Sequence, residues 1–122
     1  MSEVRNTIQS LFKKKSAWIK GSYATNGEKG GGLLEFDAID IPNNDDAVCF
    51  CLSGAVTKVY ENLEQQGLAE ARLAGVIRAL YPDRARVRSN KQMGNESVIV
   101  NFNDHKDTTI EEIRHVVKVA NV

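Results

Sequence analysis

Two cysteines with one phenylalanine between them, Cys49 and Cys51 in DAVCFCLSGA (46–55), are the residues best equipped for chemistry in this 122-residue chain. A thiolate attacks electrophiles and holds soft metals. Cys51 falls about one turn into a helix expected to begin near residue 45, a place where thiol pKa values drop and nucleophiles form. His105 is the imidazole that would serve as its base, with Asn103 or Asp104 to orient the ring. Against this stands the common fate of cysteine, which is burial as a small apolar side chain. A metal fits poorly: helical residues two apart point about 200° apart around the axis, so Cys49 and Cys51 do not converge on one ion. No second cysteine pair supplies the other ligands of a zinc site. No metal or other cofactor is expected.

The polar stretch NFNDHKDTT (101–109) is the next most specific signal. Asn103 and Asp104 follow an apolar run and precede a capped helix, so their side chains either fix a turn on local backbone or hold a ligand. With Trp18, and with Arg86 or Arg114 as a cationic contact, they form the candidate set for a nucleotide or another small anionic ligand. Arg84, Arg86, Arg88 and Lys91 make the one extended basic cluster. In an extended segment the residues at 84, 86 and 88 share a side and would meet phosphates or an acidic protein. No aromatic residues interleave to stack bases, and nucleic acid is not expected. Lys13, Lys14 and Lys15 either offset the dipole at the end of a first helix or meet a phosphate. GEKGGG (27–32) lacks the Gly-Lys-Ser/Thr ending of a phosphate loop and reads as plain loop. His115 falls on the polar face of the last helix, where solvation is its expected state.

These residues must be positioned by elements that the periodicity outlines. Val4, Ile8, Leu11 and Phe12 give one face of an amphipathic helix over 2–15. Residues 16–44 look irregular, with LLEFDAIDI (33–41) a candidate short strand. A central helix over 45–65, capped by Asp45 or Asp46, carries the stripe Val48, Leu52, Ala55, Val59 and Leu63. Gly54 in its interior implies close approach of another backbone. Residues 68–80 form another helix with Ala69, Leu73, Val76, Ile77 and Leu80 inward, stopped by Pro82. A basic loop, 84–96, follows. SVIVNF (97–102) reads as a short strand, or as a buried helical turn. Thr108 and Glu111 have the spacing of a capping box ahead of a helix with Ile110, Ile113, Val117 and Ala120 inward.

Sixteen basic residues balance sixteen acidic ones, which argues against a dedicated nucleic-acid or membrane-surface protein. No apolar run reaches the span of a bilayer, and the N-terminus lacks the order of a signal peptide, so a cytoplasmic location is expected. The expected fold is mainly α, about four helices, with a small β element from 33–41 and 97–102; an α+β fold is the alternative. The whole chain, 1–122, is expected to be one compact domain.

Three blocks in order give a resemblance. Trp18, Lys20, Gly21, Tyr23 and Ala24 form a Trp-x-x-Gly-like stretch. Cys51-Leu52-Ser53-Gly54-Ala55, preceded by Asp46-Ala47, forms a second. Phe102-Asn103-Asp104, followed by Thr109, Glu111 and Glu112, forms a third. Over residues 16–120 the chain resembles a family of small uncharacterised bacterial and phage proteins, with Phe102 where that family usually has tryptophan. The resemblance implies no known activity. It implies that Cys51, Gly54, Asn103 and Asp104 are neighbours, with the Asn-Asp pair against the start of the central helix.

Three functions fit these readings. The first is an interaction or regulatory module, associated with phage or a mobile element, that binds a host protein. The second is a small-molecule or nucleotide-binding protein. The third is a cysteine-dependent hydrolase or transferase built on Cys51, His105 and Asn103. The first accords best with small size, balanced charge and the lack of a catalytic signature.

Overall fold

A computed structural model describes residues 7–27, 32–85 and 94–122. Among them are six α-helices and three two-residue strands, the mainly α fold with a small β element that the sequence implies. The helices are α1 (Ile8–Leu11), α2 (Leu52–Val59), α3 (Leu63–Leu80), α4 (Pro82–Ala85), α5 (Asn95–Asp104) and α6 (Ile110–Ala120); the strands are β1 (Ala24–Thr25), β2 (Glu35–Phe36) and β3 (Cys49–Phe50). The strands form an antiparallel sheet in the order β2-β1-β3, with Ala24 opposite both Phe36 and Phe50. Helix α3 packs against α5 and α6, while α2 packs against α5, α3 and α1. Phe12, Phe50, Leu52, Leu73, Ile77 and Phe102 are among the fully buried side chains of the shared core.

Helix α6 forms for local reasons. The Thr109 side chain accepts from the Glu112 amide, the Glu112 carboxylate accepts from the Thr109 amide, and Asn121 closes the far end in a left-handed conformation at φ 58°. This capping box stands one residue later than Thr108 and Glu111. Thr108 is instead buried, and its hydroxyl accepts from the Arg84 guanidinium at 3.4 Å. Ile110, Ile113, Val117 and Ala120 face the core as the periodicity requires. Arg84 also pairs with Glu112 at 2.6 Å and lies over the Tyr81 ring, which stacks on Phe102. Burial works to raise the Glu112 carboxyl, but the bond and charge of Arg84 and the bonds from Thr109 outweigh it and hold the group below its ordinary value. Arg84 is thus committed to joining α4 and α6. Arg86, Arg88 and Lys91, the rest of the basic cluster, lie outside the described residues, as do 28–31 of the glycine-rich loop.

The central segment departs from a single helix over 45–65. Cys49 and Phe50 pair with β1, so the two cysteines do not share a helix. The Asp46 amide donates to the Asn44 side chain in a turn, and Cys51 is the actual cap of α2. That helix ends at Val59, and Asn62 caps α3 by accepting from Gln65. Leu63, expected inward, is 84% exposed.

Other boundaries also shift. Helix α3 starts earlier than residue 68 and ends at the residue before Tyr81-Pro82, as the proline dictates. Its Leu80 is exposed rather than inward. SVIVNF lies within α5, where Val98, Ile99 and Phe102 are buried at helical spacing. Tertiary packing there overrides the local β preference of a branched run. The described part of the first helix is only Ile8–Leu11, capped by Thr7. Lys13, Lys14 and Lys15 therefore follow that helix rather than completing its last turn, and Lys15 opens a 3-10 turn to Ala17.

Candidate functional site

The blocks singled out by type and spacing meet at one place, where the chain at 18–23, the start of α2 and the end of α5 converge. Asn103 is fully buried in the last turn of α5. Its Oδ1 accepts from the Trp18 indole Nε1 at 2.6 Å and from the Leu52 amide at 3.0 Å. Both partners are donors only, which fixes the orientation of the side-chain amide. Its Nδ2 donates to the Ile19 carbonyl at 3.0 Å and to Asp104 Oδ1 at 2.9 Å. Two acceptor and two donor positions are thus engaged with protein, and Asn103 latches three segments together.

Asp104 and its neighbours extend the latch to the surface. Asp104 Oδ1 accepts from the Gly21 amide at 3.0 Å, and Gly21 has φ 85°, a conformation that glycine adopts without strain. Lys20 Nζ donates to the His105 carbonyl at 2.6 Å and lies 5.5 Å from the centre of the Trp18 ring. The Tyr23 carbonyl accepts from the Cys51 amide at 3.1 Å. The Tyr23 hydroxyl donates to Glu96 on α5, and that bond first, then burial, raises its pKa. Ser22 donates to Glu35 on β2.

Cys51 sits inside this junction as the cap of α2. Its sulfur accepts from the Gly54 amide at 3.2 Å. Burial pushes the thiol up to about 11, against a smaller downward pull from the Gly54 and Ser53 amides, and the nearby Asp104 charge adds to the rise. The group is a neutral thiol near neutral pH, whereas a nucleophile needs the thiolate. His105 caps the end of α5, and its Nδ1 accepts from the Asp107 amide at 3.1 Å. Among the described residues no hydrogen bond joins His105 to Cys51. Arg114, on α6, donates to the carbonyls of Phe12 and Lys13, both at 2.9 Å. Arg86 lies outside the described residues, and no cluster that could hold a metal ion occurs among those described. Among the described residues no helix is long and apolar enough to cross a membrane.

A model of the family of unknown function DUF6197 matches residues 5–121. The chain belongs to that family. No curated protein and no solved structure gives a match. The extent of the match takes in all three converging segments.

The geometry of the thiols has a direct chemical consequence. In the native protein near neutral pH, a small alkylating reagent is expected to modify half-buried Cys49 and to reach Cys51 only after denaturant is added, as mapped by peptide mass. Rapid native labelling of Cys51 would contradict its burial. The raised pKa also sets a sign. The unfolded chain releases the Cys51 proton near the ordinary value of 9.0, while the folded chain keeps it to about 11. Its contribution to stability is therefore complete below the lower value and is lost as pH rises between the two.

Two surface features escaped sequence reasoning. One is the outer face of α3, where Gly67, Ala71, Gly75 and Ala79 recur every fourth residue and are all exposed; that spacing was the available signal. The other is a recess between α1 and α2 lined by Lys13, Lys14 and Lys58. Its lysines lie far apart in sequence, and only the run at 13–15 hinted at it.

Proposed function

We propose that the protein is an interaction module that binds a helix of another protein along the outer face of α3. The observation that carries this reading is a groove of about 470 Å³ between α3 and α6, floored by Ala71, Gly75 and Ala79 and walled by Leu80 and Val119. A floor of glycine and alanine lets a second helix approach closely, as small residues do at tight helix crossings. The wall is apolar and open: Leu80 is 44% exposed and Val119 52%. Leu68, one turn away on α3, is also exposed and extends the apolar surface. Arg72 lines the groove, so the complementary helix carries an apolar seam with a carboxylate beside it. The saturated hydrogen bonding of Asn103 and the neutral thiol of Cys51 favour this reading over chemistry at the latch.

Gly75→Gln tests it. A Cβ at Gly75 meets nothing within 4 Å, and glycine costs about 1 kcal/mol in a helix interior. The variant is therefore expected to be at least as stable as the parent by thermal melting while filling the groove. Proteins retained from a native lysate by the parent should be lost from the variant, as compared by quantitative mass spectrometry. Identical sets retained by both would sink the reading. A dimer of the parent that Gly75→Gln dissociates would replace the foreign helix with a second copy of this chain.

A further inference from the structure

We propose that the recess between α1 and α2 is a binding site for a small phosphorylated molecule with an apolar body. The recess holds about 310 Å³, the lower end of the range for small-ligand pockets. It shares no lining residue with the groove on α3. Lys13 and Lys14 stand on one side, Lys58 from the last turn of α2 on the other, and Leu11 and Val59 provide the apolar lining. The two sides are more than forty residues apart in sequence, so the site exists only in the folded chain.

Lys13, Lys14 and Lys58 all line the recess; among the described residues no carboxylate does, and none of the three lysines is in an ion pair. The chain as a whole carries no net charge, whereas this recess gathers three cations from two separate segments. Ammonium groups act on phosphate as mobile point charges with three donors each.

The backbone beneath the lysines is held in place. Arg114 donates to the carbonyls of Phe12 and Lys13, and the Lys14 carbonyl accepts from Ala17 in the following turn. Lys58 Nζ donates to the Asn44 carbonyl at 3.5 Å, which uses one of its three N–H donors and leaves two for an anion. The Thr7 hydroxyl oxygen accepts the Ser10 amide at 3.0 Å, so its proton is directed elsewhere, and Ser10 adds a second hydroxyl to the lining. Hydroxyls and ammonium groups suit phosphate oxygens, while Leu11 and Val59 suit a ring or short aliphatic body. Arg114 is a positioning residue in this arrangement.

Calorimetry with ADP, AMP and pyrophosphate, paired with acylation of lysines in the presence and absence of each, tests the site. The expected result is saturable binding of ADP and its protection of Lys13, Lys14 and Lys58, with Lys118 on α6 modified equally in both conditions. Pyrophosphate, lacking a body to cover the apolar lining, should bind about tenfold more weakly. Lys58→Gln should weaken ADP by about tenfold, the loss of one charge-assisted bond. If that variant fails to fold, Lys14→Gln carries the same expectation, because the Lys14 side chain is exposed and makes no bond among the described residues. No saturable binding and no protection with any of the three probes at millimolar concentration would overturn the proposal. So would ADP binding that survives Lys13→Gln, Lys14→Gln and Lys58→Gln together.

Discussion

Replacing Asn103 with alanine is expected to destabilise the fold by about 3–5 kcal/mol, a large share of a stability of about 5–15 kcal/mol. The change removes two acceptor and two donor bonds at a fully buried position. The Leu52 amide then loses its partner inside the protein, and a buried donor left unpaired costs about 1–3 kcal/mol by itself. The Trp18 indole and the Ile19 carbonyl lie nearer the surface and recover part of their loss from water. Trp18 is the chain's one tryptophan, so its fluorescence follows urea unfolding and reports the junction directly. Asp104→Ala is the comparison. Its carboxylate is exposed and bonds the Gly21 amide and Asn103, so its loss should cost about 1 kcal/mol or a little more. An Asn103→Ala midpoint close to the parent's would mean that the latch does not hold the three segments together.

The elements legible in the sequence were those whose causes are local. Helix α6 has its apolar stripe and a capping box within a dozen residues, the box one residue later than Thr108 and Glu111, and α3 ends where Pro82 forbids continuation. Gly54, read as a point of close backbone approach, is one: the Tyr23 carbonyl arrives there. The resemblance of the blocks placed Asn103 against the start of the central helix, and the Leu52 bond puts it there. Causes that come from elsewhere in the fold were not legible. Strands of two residues show no alternation, so β1 was absorbed into an irregular stretch and β3 into a helix. What ends the central helix on its N-terminal side is pairing of Cys49 and Phe50 with Ala24 and Thr25, partners more than twenty residues away. SVIVNF favours a strand by composition, yet it becomes helix because Ile99 and Phe102 fill the core beside α3. The candidate site divides in the same way. Its members were named from their types, but whether the Asn103 amide faces a ligand or other segments of its own chain depends on contacts that no spacing encodes.

Gly54→Ala should be the most damaging exchange of a single hydrogen for a methyl group anywhere in the described chain. A Cβ at this position would stand 1.9 Å from the Tyr23 carbonyl oxygen and 2.8 Å from its carbon. Both are backbone atoms, so no rotamer change relieves the overlap. The Tyr23 segment has little room to retreat. Its carbonyl accepts from the Cys51 amide, Gly21 is bonded to Asp104 before it, and Ala24 is paired with Phe36 and Phe50 after it. Relief therefore requires α2 to shift away from β1, which strains the Cys51 cap and the bond from Leu52 to Asn103. The gain in helix propensity of about 1 kcal/mol opposes an overpacking cost of about 3 kcal/mol or more, and the net expectation is a loss of at least about 2–3 kcal/mol. The same substitution at Gly67 or Gly75 on α3 meets nothing within 4 Å and should instead raise stability by about 0.5–1 kcal/mol each. Urea midpoints of the three variants, compared with the parent, give the test as a difference in sign. A Gly54→Ala midpoint that moves up with the other two would mean that α2 does not rest on the Tyr23 carbonyl. The junction of the three blocks would then be looser than its hydrogen bonds require.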